Sequence, residues 1–180
     1  MDQPVQTSPQ EEHRYAELQL MALDYARTGD TPALDAMLAA GLPANLCDEK
    51  GNTLLMLAAY HGNAETVRTL LARGADPERL NARGQTPLAG VAFKGDEDVA
   101  RVLLDGGAGA ATPCEGGQTP IQFAAMFGNE GVYKLLASRG GAPAKNRVFG
   151  IPSGMVLGIS SRIRKLLRRI PARRSHGKPL

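Results

Sequence analysis

One exact spacing recurs along this sequence and constrains its fold more than any other feature. The segments 51–63, 84–96 and 117–129 read GNTLLMLAAYHGN, GQTPLAGVAFKGD and GQTPIQFAAMFGN, and each has Gly at its first and twelfth positions and Thr at its third. The constant distance between their starts is called the repeat spacing below. A fixed period of roughly 20–50 residues is typical of repeat proteins, in which each repeat is a small motif that is stabilised by stacking on its neighbours. The sequence therefore predicts an array of stacked repeats.

The repeat at residues 48–81 predicts two helices and a turn. Thr53 suits an N-cap because its hydroxyl can accept a hydrogen bond from the first turn, and the run LLMLAAY that follows is rich in helix formers. Gly62 can end this helix in the left-handed conformation. A second helix over residues 64–72 has one apolar face, and Gly74 breaks it before an extended turn. The predicted fold class is all-α, with two antiparallel helices and a projecting turn in each repeat.

The N-terminal part of the chain keeps only some of this pattern. Gly29 and Gly41 each precede an equivalent glycine by one repeat spacing, but the Gly and Thr of the turn are missing. We expect a capping repeat with Gln19 and Asp24 facing water, because terminal repeats are atypical. The polar residues 1–14 are expected to be a disordered leader. The predicted boundaries of the capping repeat and the three full repeats are 15–47, 48–80, 81–113 and 114–146.

The repeats resemble those of the ankyrin family over about residues 18–143. RGQTPLAGVAFKGDEDVARVLLDGGA and GGQTPIQFAAMFGNEGVYKLLASRGGA match the family pattern of Gly, Thr-Pro-Leu, Ala-Ala, Gly, Leu-Leu and Gly-Ala over nearly their whole length. The His that usually follows the Leu is replaced by Met56, Ala89 and Gln122, which is expected to weaken the hydrogen bonds of the turns. The resemblance implies an all-α ankyrin repeat solenoid.

Ankyrin repeats bind other macromolecules, mostly proteins, through their turn tips and the exposed face of their first helices. Since a fold does not determine a function, this expectation rests on analogy. The resemblance implies a non-catalytic protein-binding module, with another protein as its partner and no small-molecule substrate. The family's variable contact positions fall here on Glu49, Lys50, Asn52, Tyr60, His61, Arg83, Gln85, Phe93, Lys94, Gln118, Met126 and Phe127.

Three of these positions form a stripe of large apolar residues at the repeat spacing: Tyr60, Phe93 and Met126, with Phe127 beside the last. Exposed aromatic residues and Met are enriched where proteins bind one another. The stripe therefore predicts a groove for a partner. The same side chains could instead cover the gap between adjacent first helices, and the sequence favours neither interpretation.

The sequence shows no arrangement of residues suited to catalysis. The histidines His13, His61 and His176 have no Cys or carboxylate at a metal-ligand spacing, and GQTP lacks the lysine of a phosphate-binding loop. The acidic residues 96–98 begin a predicted second helix, where negative charge is favourable. We therefore predict no enzyme activity, no metal and no cofactor.

The sequence also bears on the cellular location. No apolar run approaches the roughly 18 residues of a membrane span, and the acidic, polar N-terminus is unlike a secretory signal. Cys47 and Cys114 lie two repeats apart, too far to form a disulfide bond if repeats stack at about 10 Å. We expect free thiols and a cytoplasmic protein.

The C-terminal segment differs from the rest of the chain in charge. Residues 1–143 contain 11 basic residues and all 18 acidic ones, whereas residues 144–180 contain 10 basic residues and no acidic one. We assign residues 147–180 to a degenerate closing repeat and a tail with the amphipathic run RIRKLLRRI. The basic residues of this run are Arg162, Arg164, Lys165, Arg168 and Arg169.

Several roles for this tail remain open. It could cap the last repeat or fold back on the acidic body, bind an anionic membrane or a partner groove, or bind nucleic acid through its charge. It could also be a shifted reading frame without a function. The alternative to a protein-binding module is therefore a peripheral membrane or nucleic-acid adaptor anchored by the tail.

Overall fold

The computed structural model describes residues 8–141, together with the backbone of two short strands beyond them. The described part of the chain is all-α, as predicted, apart from these two strands, which pair in antiparallel fashion. The helices are α1 (Pro9–Thr28), α2 (Thr31–Ala39), α3 (Leu54–His61), α4 (Ala64–Ala72), α5 (Pro87–Lys94), α6 (Glu97–Asp105), α7 (Pro120–Met126) and α8 (Glu130–Ser138), and the strands are β1 (Arg147–Val148) and β2 (Ile151–Pro152).

The helices form four hairpins that stack into two layers. The first helices α1, α3, α5 and α7 pack side by side, and the second helices α2, α4, α6 and α8 form the other layer. The core lies between the layers, and fully burying each of its leucines contributes about 1.5–3 kcal/mol. Its buried residues include two sets at the repeat spacing: Leu55, Leu88 and Ile121 from the first helices, and Leu70, Leu103 and Leu136 from the second.

Local sequence signals explain where the first helices begin and end. The Thr53 hydroxyl accepts a hydrogen bond from the Met56 N–H at 3.1 Å, and α3 ends at Gly62, whose φ of 85° is the left-handed conformation that favours glycine. At the start of α7, the side-chain Oε1 of Gln122 accepts a hydrogen bond from the Thr119 N–H at 2.9 Å. Gln122 therefore makes a capping hydrogen bond in the position where the family's usual His is missing.

Amide side chains connect successive repeats at the start of two second helices. The Asn63 Nδ2 donates to the carbonyls of Ala26 and Arg27, at 3.0 and 2.9 Å, near the end of α1. Asn129 is buried and makes the equivalent pair of hydrogen bonds to the end of α5, at 2.7 and 2.8 Å. The equivalent residue between them is Asp96, which has no amide to donate. These hydrogen bonds link each of the two repeats to the one before it.

The N-terminal helix is longer than the sequence predicts. It starts at Pro9, inside the segment expected to be disordered, because Ser8 and Glu11 form a reciprocal capping box. The Ser8 N–H donates to the Glu11 carboxylate at 2.7 Å, and the Glu11 N–H donates to the Ser8 hydroxyl at 3.3 Å. Asp24 is exposed and Gln19 is half-buried. Thus residues 9–14 are part of α1.

Candidate partner-binding groove

The turn tips that precede α3 and α5 are held in shape by two equivalent side chains. The Asp48 carboxylate accepts hydrogen bonds from the backbone N–H groups of Lys50 and Asn52, both at 2.9 Å. Asn81 does the same one repeat later, with donors at 2.9 and 3.0 Å. An Asx turn of this kind reduces the freedom of the loop. The predicted contact residues on these tips therefore project from an ordered backbone.

Neighbouring tips also bind one another. The Asn81 Nδ2 donates to the Asn52 side-chain oxygen at 2.9 Å, and the Ala82 N–H donates to the Lys50 carbonyl at 2.9 Å. The third tip has Cys114 in place of Asp48 and Asn81, so it lacks the side-chain acceptor that organises the other two. The first two tips therefore have more side-chain hydrogen bonds to hold them than the third tip has.

The tips and the first helices enclose an open cavity of about 730 Å³. It lies between the second and third hairpins, which places it near the middle of the described solenoid. Of the twelve predicted contact residues, seven line it: Glu49, Lys50, Asn52, Tyr60, Arg83, Gln85 and Phe93. The other five lie outside its lining: His61, Lys94, Gln118, Met126 and Phe127.

The side chains of the aromatic stripe contact neighbouring helices and also remain partly exposed to solvent. Phe93 packs edge-on against Phe127, with ring centroids 4.4 Å apart, and the Lys94 Nζ lies 4.8 Å from the centre of the Tyr60 ring. These contacts join adjacent first helices, as the structural interpretation of the stripe requires. Tyr60 and Phe93 nevertheless remain 45% and 43% exposed, which leaves area for a partner. Met126 is half-buried.

Seven residues that line the cavity are not among the twelve predicted contact residues: Met56, Leu57, Asn81, Ala82, Thr86, Pro87 and Gly90. Gly90 departs most from the repeat pattern. It lies on α5 at the position that Leu57 occupies on α3 and Phe123 on α7. A Cβ atom at Gly90 would meet no described atom outside its own helix backbone within 4 Å, so the backbone here is open to the cavity. The signal was present in the sequence as a small residue that interrupts a series of large apolar ones at the repeat spacing.

The charge of the cavity rim differs from that of the surrounding surface. Lys50 and Arg83 line the cavity with one acid, Glu49, and the ammonium group of Lys94 lies close by over Tyr60. Over residues 8–141 as a whole, 17 acidic residues exceed 11 basic ones. The cavity rim therefore carries a small excess of basic residues on an acidic body.

The pKa of Asp48 lies below its ordinary value. Partial burial acts to raise the pKa, but it is outweighed by hydrogen bonds donated by the side chain and backbone of Asn52 and the backbone of Lys50, with the nearby charge of Arg27 adding to them. The Arg27 guanidinium is 3.8 Å from the Asp48 carboxylate. The residue that shapes the first tip is therefore held in its ionised form.

The acidic residues 96–98 and the two cysteines have no part in the cavity. The Asp96 carboxylate accepts a hydrogen bond from the Val99 N–H at 3.0 Å and caps α6, which supports the structural interpretation of residues 96–98. Cys47 is exposed and Cys114 is buried, and both are free thiols. Within residues 8–141, no three His, Cys, Asp or Glu side chains gather closely enough to hold a metal ion.

The predictions about a membrane span and about the basic tail can be compared only with the described residues. None of the helices in the described range is both long and apolar enough to cross a membrane. The basic residues between 162 and 169, and most of the predicted closing repeat, lie outside the described residues. The tail's predicted roles therefore stay predictions.

Comparison with known proteins agrees with the geometry. The sequence profile of the family described as ankyrin repeats, in three copies, matches residues 20–112 and 55–147. An ankyrin repeat protein of Pseudomonas aeruginosa is 56% identical over 45 residues, which are 25% of this chain and 26% of that protein. The match thus spans about a quarter of that curated relative. From its helix hairpins, its turn tips and the extent of the profile match, this chain belongs to the ankyrin repeat family.

Proposed function

We propose that this protein is a non-catalytic module that binds a partner protein in the groove between its turn tips and its first helices. The observation that carries the proposal is the open cavity flanked by Tyr60 and Phe93, two aromatic side chains that each keep almost half of their area exposed. Aromatic residues bury much surface on binding and lose few rotamers, which makes them frequent hot spots.

The hydrogen bonds of the tips support the same function. Binding costs free energy when loops and side chains must be ordered, so a surface that is already ordered retains more of its contact energy. Asp48 and Asn81 hold two adjacent tips, and the bond between Asn52 and Asn81 fixes one tip against the other. The predicted residues on the third repeat, Gln118 and Met126 among them, would extend the groove beyond the cavity.

A cytoplasmic location is part of the proposal, because a reducing compartment suits two unpaired thiols. The adaptor alternative, in which the basic tail is the anchor, gains no support from the described residues, and we do not propose it.

The test is an affinity capture from lysate of the source cells with the full chain, followed by titration of the purified captured protein. The variant carries Tyr60→Ala and Phe93→Ala. The matched control is Tyr15→Ala, since Tyr15 is 46% exposed but lies on α1, away from the cavity. We expect the double variant to weaken binding at least tenfold, corresponding to about 1.4 kcal/mol, while the control keeps the affinity of the wild type.

Circular dichroism separates lost binding from lost folding. If the double variant unfolds at a lower temperature but still binds the partner with unchanged affinity, the aromatic side chains serve only to join helices and the proposed groove is wrong.

A further inference from the structure

We infer that Gly90 forms a receptor for one apolar side chain, a Leu or Met, carried by a short acidic segment of the partner protein. The inference rests on the proposed function, because it assigns a partner chemistry to the same groove. It adds a residue that determines specificity and a prediction about the sequence that the groove selects.

The shape of the cavity indicates where the side chain would sit. Gly90 on α5 lines the cavity together with Leu57, the equivalent residue on α3, and with Tyr60 and Phe93, which each lie three residues further along their own helix. Leu57 is only 9% exposed, so most of the accessible apolar area of these lining residues belongs to Tyr60 and Phe93, which are 45% and 43% exposed. An aliphatic side chain entering here would contact apolar atoms on several sides.

Nothing in the described part of the chain requires a glycine at this position. Gly90 is helical, does not have a positive φ, and has no described atom outside its own helix backbone within 4 Å of the place where a Cβ would be. Glycine in a helix interior lowers helix stability relative to alanine. The glycine thus weakens α5, and it neither relieves strain nor allows a close approach of other described atoms. Its effect is to leave the groove open at this position.

The size of the cavity indicates that more than one side chain would occupy it. At about 730 Å³ it is comparable to pockets that hold drug-sized ligands, so a segment of chain flanking the anchor side chain would fit as well. A single anchor in a deep site, with weaker contacts around it, is the usual arrangement of a hot spot.

The charge of the rim indicates an acidic segment. Lys50 and Arg83 outnumber Glu49 in the lining, and two charges lie close by, Lys94 over the Tyr60 ring and Glu115 against Gly84, whereas the described chain as a whole is acidic. Complementary charge speeds association and disfavours partners of the wrong sign. The same argument disfavours the chain's own C-terminal segment as the occupant, because residues 144–180 are basic and contain no acid.

The test uses a displayed library of random peptides of about 12 residues, which span roughly 40 Å when extended, selected on the full-length protein. Selected peptides are then synthesised and titrated against wild type, Gly90→Met, Gly90→Ala and the double variant Tyr60→Ala, Phe93→Ala. Ala72→Met is the matched control, since it adds the same side chain at an exposed position on α4, outside the cavity.

We expect the selected peptides to share one Leu or Met flanked by Asp or Glu. Gly90→Met should weaken their binding about tenfold or more, because its side chain would occupy part of the cavity, while Ala72→Met should leave binding unchanged. Gly90→Ala should raise the midpoint of thermal unfolding by about 3 °C. Raising the ionic strength from about 0.05 to 0.5 M should weaken binding of the acidic peptides.

The outcomes test the role of Gly90 and the proposed groove separately. If the double variant loses the peptides but Gly90→Met binds them within twofold of wild type, the groove stands and the role of Gly90 is wrong. If neither variant loses them, the groove itself is wrong. Selected peptides that are basic would overturn the charge argument. A library without any peptide that separates wild type from Gly90→Met would overturn the inference, and would favour a small molecule in the cavity.

Discussion

Replacing Asn129 by aspartate should destabilise the protein by about 2 kcal/mol or more at pH 7. The buried Asn129 amide donates two hydrogen bonds, to the carbonyls of Ala92 and Phe93 at 2.7 and 2.8 Å. A typical hydrogen bond contributes about 1 kcal/mol net, so the loss of both donors accounts for about 2 kcal/mol. An ionised carboxylate also places negative charge against two carbonyl oxygens in a buried site, which adds to this cost.

The equivalent position in the preceding repeat provides the reciprocal test. Asp96→Asn would supply the amide that is missing there, at the cost of the cap to Val99 and of a favourable interaction with the helix dipole. The two hydrogen bonds gained should outweigh these losses, so we expect Asp96→Asn to stabilise the protein by about 0.5–1 kcal/mol. The two substitutions at equivalent positions should therefore change stability in opposite directions.

Urea unfolding followed by far-UV circular dichroism measures both effects. Asn45→Asp is the control, because the Asn45 side-chain oxygen accepts a hydrogen bond from the Asp76 N–H at 2.8 Å, and a carboxylate retains that role. At pH 4 the cost of Asn129→Asp should shrink, since a protonated carboxyl group can donate one hydrogen bond. A change below about 0.5 kcal/mol for Asn129→Asp at pH 7 would refute the view that these amides hold the repeats together.

Two further predictions concern the turns. Thr86→Ala should destabilise the protein by about 1–2 kcal/mol in the same urea assay, because the buried Thr86 hydroxyl caps α5 through the Ala89 N–H at 3.2 Å; an unchanged midpoint would show that the cap is replaceable. The lowered pKa of Asp48 means that its contribution to stability is present above its unfolded value of about 3.9 and is lost as the pH falls through the folded value. Asp48→Asn should therefore reduce the loss of stability on acidification from pH 5 to pH 2, and an identical pH profile would contradict this assignment.

The predictions from sequence were most successful where the signal is local. Thr53 and Gly62 act on the residues next to them, so their positions predicted the ends of α3 without knowledge of the rest of the fold. The start of α1 was equally local but was missed. The capping box of Ser8 and Glu11 lies in a polar segment, and a polar composition alone favours disorder over a helix.

The candidate site was predictable in part. The family resemblance gave a set of exposed positions on the tips and first helices, and the structure brings seven of them around one cavity. It did not indicate that Phe93 packs on Phe127, or that Gly90 and Leu57 line the same cavity. Such contacts depend on the distance and rotation between neighbouring hairpins, which a spacing in sequence does not contain.

The sequence by itself determined the repeat spacing, the two helices of each repeat and the segregation of charge, because caps, glycines and apolar faces act within one repeat. Only the tertiary structure decided how the repeats meet. The links from Asn63 and Asn129 to the preceding repeat join residues 36 or 37 positions apart. Their geometry, like that of the cavity, follows from the packing of one hairpin on the next, where interactions between repeats supply much of the stability.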